Sequence, residues 1–551
     1  VRKTVTNSPR FSDPSLSALF AQIRDGTSST SVLGLDGVVR SSVSGLLHYV
    51  LNRTVLVITA TEDEARDTVR ELGVFLGDDR VVSFPAWSTP SWDTDLSRER
   101  DVAYRRAAAL SRLCGGTGGV FVASLAAVLQ KVAPIDAVGG YIDIISCGDV
   151  ISRDVFVGKL AAGGYRSIPL VQEEGDFSVR GHILDIFPPL SPQPYRMELF
   201  GDEIESLRVF DPVTQRSAED VPDFMLVPSQ ELIVTDERRA HAIEAVRRRS
   251  AVIGVSRRRR DRIINRVESD PSMIDGLMML PLFYGVSNDL SPRRESETLD
   301  TVFDYLPSTA VIVHDDISAL TRKTAAIEET IERAIDRARS EERFYCEIDL
   351  FHLSARELER RLCRFSTVIT QTFESPVPVD VLRFRMERPT GLTKTPTRDG
   401  TNGMLRPFVD HLTQWFDEGY TVVFLCPATE RERIQSLLES YALPVCISQR
   451  PLLETALDHE TGDGLLLADG SLSGGFIFPF LRLVVVTEEE IYGKKVTRRR
   501  RRRAKEGFFL ASFRDLSEGD FVVHIDHGIG RYRGLHRLCV MNSDNDYILV
   551  E

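Results

Sequence analysis

The sequence has 551 residues, 42% hydrophobic and 27% charged, with a formal net charge of −13. That length allows about three to five domains rather than one core, and the acidic balance excludes a protein built as a whole to coat nucleic acid. Seven scattered cysteines with no Cys-x-x-Cys pair exclude a zinc ribbon and a disulfide framework, and no apolar run approaches the roughly 20 residues of a bilayer span, so a cytoplasmic protein without a membrane segment is expected. The chain begins at Val1 and stops at Glu551 inside a strand-like run, and reads as a fragment.

From the N-terminus, strand and helix patterns alternate over 1–134. Val55-Leu56-Val57-Ile58-Thr59 reads as a buried strand, and Thr61 with Glu64 three residues on opens a helix as a capping box. Residues 81–85 and 120–124 repeat the strand pattern, which predicts a parallel α/β arrangement. Phe84-Pro85-Ala86-Trp87 and Trp92 read as local aromatic packing.

Over 135–225 the pattern changes to short alternating runs. Phe177 and Val179, then Leu184 and Ile186, then Tyr195, Met197 and Leu199 alternate with polar residues. Pro188-Pro189 forbids a continuing strand and Gly201-Asp202 is a hairpin turn. If Tyr195, Met197 and Leu199 face a core, Arg196 and Glu198 face the other way. The antiparallel sheet then has one wet side carrying Arg180, Arg196, Glu198, Glu203 and Glu205, suited to docking.

A second α/β portion, 226–350, runs from near 231–235 past 311–316, which makes the β-rich segment an insertion in one α/β domain. A long helix follows, with Ile327, Ile331, Ile335 and Ala338 at helical spacing, and Ser354 with Glu357 forms another capping box. Residues 365–490 read as a small α/β domain with strands at 367–370, 422–425 and 483–487. In the linker 491–512, Arg498, Arg499, Arg500, Arg501, Arg502 and Arg503 form an unbroken basic run that cannot pack on itself and reads as a solvated linker, with transient contact to DNA phosphates as the alternative. From 513 to 551, Gly528, Gly530 and Gly534 allow the bends of a small, unfinished β-barrel. His524, Asp526 and His527 lack a Cys or a distant third ligand and read as turn chemistry, so no metal is expected.

Residues 179–189 (VRGHILDIFPP) and 195–217 (YRMELFGDEIESLRVFDPVTQRS) resemble a domain shared by the excision-repair protein UvrB and the transcription-repair coupling factor (Mfd) family. The resemblance implies docking of the damage-recognition ATPase UvrA, with Arg166, Arg180, Phe187, Arg196, Glu198, Glu203 and Glu205 as the candidate contacts. Residues 516–535 are similar to the RNA polymerase-interacting domain of the coupling factors, shared with CarD regulators and lacking in UvrB. That similarity implies that the edge strand Tyr547-Ile548-Leu549-Val550 pairs with the polymerase β subunit.

UvrB-like chains carry a phosphate loop, and the stretch aligned with it here is Gly34-Leu35-Asp36-Gly37-Val38-Val39-Arg40-Ser41. Val39 replaces a glycine and Arg40 the lysine, so ATP should not be held. The fold class implied is multidomain α/β: a degenerate helicase-like domain with an inserted β-rich domain, a second small α/β domain and a truncated barrel. The resemblance further implies transcription-coupled excision repair, no catalytic residue or cofactor in this chain, and ATP and Mg in a C-terminal superfamily 2 translocase motor. UvrA, polymerase and double-stranded DNA (mainly through that motor) are the implied partners of a monomer. The alternatives are a UvrB-type helicase subunit, against which Val39 and Arg40 argue, and a CarD-type regulator with an unrelated front half.

Overall fold

The computed structural model describes residues 14–27, 29–35, 37–88, 100–189, 191–269, 276–285, 299–371, 381–384, 386–392, 405–439, 441, 443–457, 464–492, 521–524, 528–540 and 543–550. The chain divides into two units, Val1–Tyr492 and Gly493–Glu551.

The first unit opens with β1 (Ser29–Leu33), β2 (Val55–Thr59), β3 (Val81–Phe84) and β4 (Val120–Ser124). The chain then leaves this sheet and builds β5 (Asp143–Ser146), β6 (Arg166–Ser167), β7 (Asp176–Arg180), β8 (Ile183–Ile186), β9 (Tyr195–Phe200), β10 (Glu203–Phe210), β11 (Ser217–Asp220) and β12 (Asp223–Leu226). It returns with β13 (Val311–Asp315), β14 (Ser366–Gln371) and β15 (Val381–Arg383), completing a parallel sheet of order β15-β1-β14-β13-β2-β4-β3. The β-rich segment is therefore inserted between two halves of one sheet. Every residue of β2 and β4 is buried, which explains their unbroken apolar runs: helices cover both faces, so no alternation is needed.

Residues 367–370 were expected in the small domain beginning at 365. They lie instead in β14, paired on one side with β1 and on the other with β13. An apolar β-branched run shows that a strand is buried but not which sheet buries it. The Thr61 hydroxyl accepts the Glu64 N–H as expected, while the Glu64 carboxylate turns to the Ala60 N–H rather than that of Thr61.

The small α/β domain contributes β16 (Thr421–Cys426), β17 (Val445–Ser448), β18 (Leu465–Asp469), β19 (Phe476–Phe478) and β20 (Leu483–Thr487), in the order β17-β18-β16-β20-β19 with β19 antiparallel. Leu453, Ala456, Phe476 and Phe478 share one core with Val39, Val43, Leu47 and Phe75 of the helices Val38–Leu51 and Glu62–Leu76.

In the insert, β6 to β11 form one sheet in chain order, with β6 and β7 parallel and the rest antiparallel, while β5 and β12 pair separately. Leu184, Met197, Leu199, Ile204 and Leu207 are buried on its inner face. Gly201 takes φ 64°, the left-handed conformation that the β9–β10 hairpin demands.

The second unit contains β21 (Phe521–His524), β22 (Gly528–Val540) and β23 (Ser543–Val550), an antiparallel sheet in that order. Asp526 and His527 lie outside the described residues. Among the described residues no cluster of His, Cys, Asp and Glu is placed to hold a metal ion, and no helix is long and apolar enough to cross a membrane.

Candidate docking surface and the phosphate-loop position

The register of the insert sets Ser178, Asp185, Arg196, Arg208 and Asp220 in a row across five strands, on the face opposite Leu184 and Met197. Asp185 organises this row and was not among the residues singled out from the sequence. It is fully buried, and it accepts from Arg180 and, in a fork, from Arg196 Nε at 2.8 Å and Nη2 at 3.0 Å. Arg196 also donates to the Gln215 carbonyl at 3.2 Å and Ser217 Oγ at 3.3 Å, and its guanidinium lies 4.6 Å from the Phe210 ring centre. Its hydrogen bonds to Asp185, partly offset by burial, raise its pKa. Arg196 is consequently locked, whereas Arg180 stays 45% exposed and can reach a second acceptor.

The other expected contacts differ in their surroundings. Arg166 pairs with buried Asp176 at 2.6 Å and with Glu173 at 3.3 Å. Burial, the largest influence, lowers its pKa, but Asp176, Tyr104 and Glu173 together outweigh it and the net direction is up. Glu198 accepts from Ser206 Oγ at 3.1 Å, and Arg208 lies between it and Asp220. Glu203 and Glu205 are exposed, with Phe200, directly opposite Glu203, 76% exposed. Phe187 is buried with Val171 and Phe210, so it supports the arginine row from within rather than standing on the surface. Phe200 is the apolar surface residue that sequence reasoning passed over. Its place next to the Gly201 turn, out of phase with Leu199, was the signal.

At the phosphate-loop position the local fold is strand, turn and helix: β1 leads through Gly34 and Gly37 into Val38–Leu51. Gly34 has φ 86°, and a Cβ there would stand 2.5 Å from the Phe384 carbonyl oxygen. Val39 is buried, and Arg40 Nη1 lies 3.5 Å from Asp315 Oδ1 at the end of β13. Asp315 also receives Lys323 Nζ at 3.0 Å and Thr370 Oγ1 at 3.2 Å. Ser41 Oγ donates to Glu71 at 2.7 Å, and Glu71 accepts Ser473 Oγ from the small domain at 3.0 Å. The guanidinium at the lysine position thus already faces a carboxylate of its own chain. Asp36 and Arg498 to Arg503 lie outside the described residues.

In the second unit, Tyr547, Ile548, Leu549 and Val550 lie on β23, an outer strand bonded to β22 through pairs such as Leu535 with Ile548. Leu549 is 46% exposed.

Two family descriptions match the chain: the UvrB interaction domain over residues 144–232, which spans the inserted sheet, and the CarD-like/TRCF RID domain over residues 516–551. Proteins called transcription-repair-coupling factor match nearly all of it. That of Myxococcus xanthus is 31% identical over 537 residues, covering 94% of this chain and 43% of the relative. Those of Bacillus subtilis (24% identical, 96% of this chain, 44% of the relative) and Haemophilus influenzae (27%, 94% and 43%) align similarly. The chain spans under half the length of these relatives. With both domain descriptions matched and the similarity running over nearly all of its length, the chain is similar to a part of the transcription-repair-coupling factors.

Proposed function

We propose that this chain carries the recruiting surfaces of a coupling factor: the inserted sheet docks UvrA, and the edge of β23 pairs with the β subunit of stalled RNA polymerase. The observation that carries the reading is the Arg180–Asp185–Arg196 constellation on the outer face of the segment that matches the UvrB interaction domain. Asp185 and Arg196 form the fixed base, and Arg180 is the mobile guanidinium offered to a partner carboxylate. Losing one desolvated pair of that kind costs about 2–5 kcal/mol. Residues 34–41 hold no nucleotide in this reading. In this reading ATP and Mg, and double-stranded DNA in the main, are handled by the motor of full-length coupling factors, and the protein works in the cytoplasm.

The experiment is a binding titration of the 551-residue chain with UvrA. Arg180→Ala should weaken binding at least tenfold with an unchanged thermal melt, because Asp185 keeps its fork to Arg196. Normal binding by that variant would refute the assignment.

A further inference from the structure

The segment between the insert and β13 holds a helical hairpin, Asp236–Ile253 and Arg257–Ser269, whose second helix begins with four consecutive arginines and has no acid in its first turn. Cationic side chains there oppose the helix dipole, so the chain gains nothing locally from them. Ile264 and Val267 are buried and Ile263 partly so, which fixes the orientation of the helix. At 3.6 residues per turn the opposite face carries Arg258, Arg262, Asn265, Arg266 and Ser269, all exposed. The neighbouring charges are occupied: Arg259 donates to the Glu341 and Glu342 carbonyls, Arg260 holds Asp261, and Arg239 ties the two helices by donating to the Val267 and Glu268 carbonyls. Arg258, Arg262 and Arg266 meet no carboxylate among the described residues.

We infer that this stripe binds the phosphate backbone of duplex DNA. The three guanidinium groups follow one another at intervals of four residues, about 6 Å along the helix axis, and a duplex strand offers a phosphate about every 3.4 Å of its own axis. One strand can therefore engage all three. The side chains are arginine throughout, suited to forked hydrogen bonds with phosphate oxygens. The face has no apolar or aromatic centre, which a protein partner would need as an anchor. In a chain of net charge −13 such a patch is a local exception, and it directs the molecule's contact with a polyanion. The inference stands apart from the docking of UvrA, which involves different residues.

The test uses the 551-residue chain and a fluorescent duplex of arbitrary sequence, with affinity measured across a salt series. Each variant is also made with Arg498 to Arg503 changed to glutamine, so that the basic run cannot mask the helix. Salt-dependent binding is expected, and the triple change Arg258→Glu, Arg262→Glu, Arg266→Glu should weaken it at least tenfold. The slope of log affinity against log salt should fall by roughly 2.7 for three phosphates lost. The triple glutamine variant, which adds no repulsion, should lose affinity in the same direction with an unchanged melt. The inference is overturned if the glutamine background does not bind duplex, if the triple variants bind like their parents, or if polyglutamate displaces the duplex at equal charge, which would mark a surface for acidic proteins.

Discussion

Replacing Asp185 by asparagine tests the base of the docking face directly. The change keeps the volume but removes the charge that Arg180 and Arg196 share, and it points an amide N–H₂ at one guanidinium or the other. The two pairs differ in weight. Arg180 is nearly half exposed, so solvent screening limits its pair to at most about 1 kcal/mol. Arg196 is 14% exposed and Asp185 fully buried, and stripping one member from a buried pair costs about 3–5 kcal/mol. Arg196 keeps Gln215, Ser217 and the Phe210 ring, which favours the lower end, so a loss of about 3 kcal/mol is expected. Urea denaturation, with hydrogen exchange at the β8 and β9 amides to localise the effect, reads it out. A loss below about 1 kcal/mol would mean that water screens the pair despite its burial. An equal loss in Arg180→Ala would mean that the exposed partner carries the weight.

Burial lowers the His352 pKa to about 4, with Lys131 adding to the effect and a backbone hydrogen bond at Leu353 opposing it. The unfolded chain then binds more protons between pH 4 and 6.5, so stability is complete above that window and is lost on acidification through it, by about 3 kcal/mol in all; His352→Asn should flatten that part of the pH profile, and identical profiles would refute it. For the polymerase contact, Leu549→Arg places a charge at a half-exposed position of β23 and should weaken binding to the β subunit at least tenfold; unchanged binding would place the contact elsewhere. Calorimetric titration of the chain with ATP and Mg should give no binding heat, and tight binding would overturn the reading of Val39 and Arg40.

The parts of the fold that were legible in the sequence are those governed by local pattern. Val55–Thr59 and Val120–Ser124 read as buried strands because parallel strands covered on both faces need uninterrupted apolar residues. The inserted sheet was legible because its wet face forces alternation, which also placed Arg196 opposite Met197. What stayed hidden depends on contacts between distant segments. Nothing local to 367–370 tells that β1 and β13 flank it. Asp185 sits in Leu-Asp-Ile like any outward polar residue, and its burial comes from Arg196, eleven positions on, folding over it. Phe187 follows an apolar strand and precedes two prolines, a context equally suited to a surface anchor. Only the arrival of Val171 and Phe210 buries it.

On the proposed reading that residues 34–41 hold no nucleotide, this position is a packing site on a strand–turn–helix fold that elsewhere suits a phosphate. In a working loop the helix N-terminus and its lysine are neutralised by phosphate, and the space before them must stay open. Here Asp315, at the end of β13, supplies the negative charge from within, so Arg40 can remain at the lysine position while 9% exposed. With no ligand to admit, Val39 can join a core that Leu453 and Phe476 of the small domain share, Phe476 lying against Phe75 of the next helix. Ser473 then reaches Glu71, the partner of Ser41, and ties the two domains together at this position. On that reading Arg40 and Val39 share one explanation: a carboxylate of the chain itself answers the guanidinium where a phosphate would otherwise stand, and Val39 packs in the core that the small domain shares.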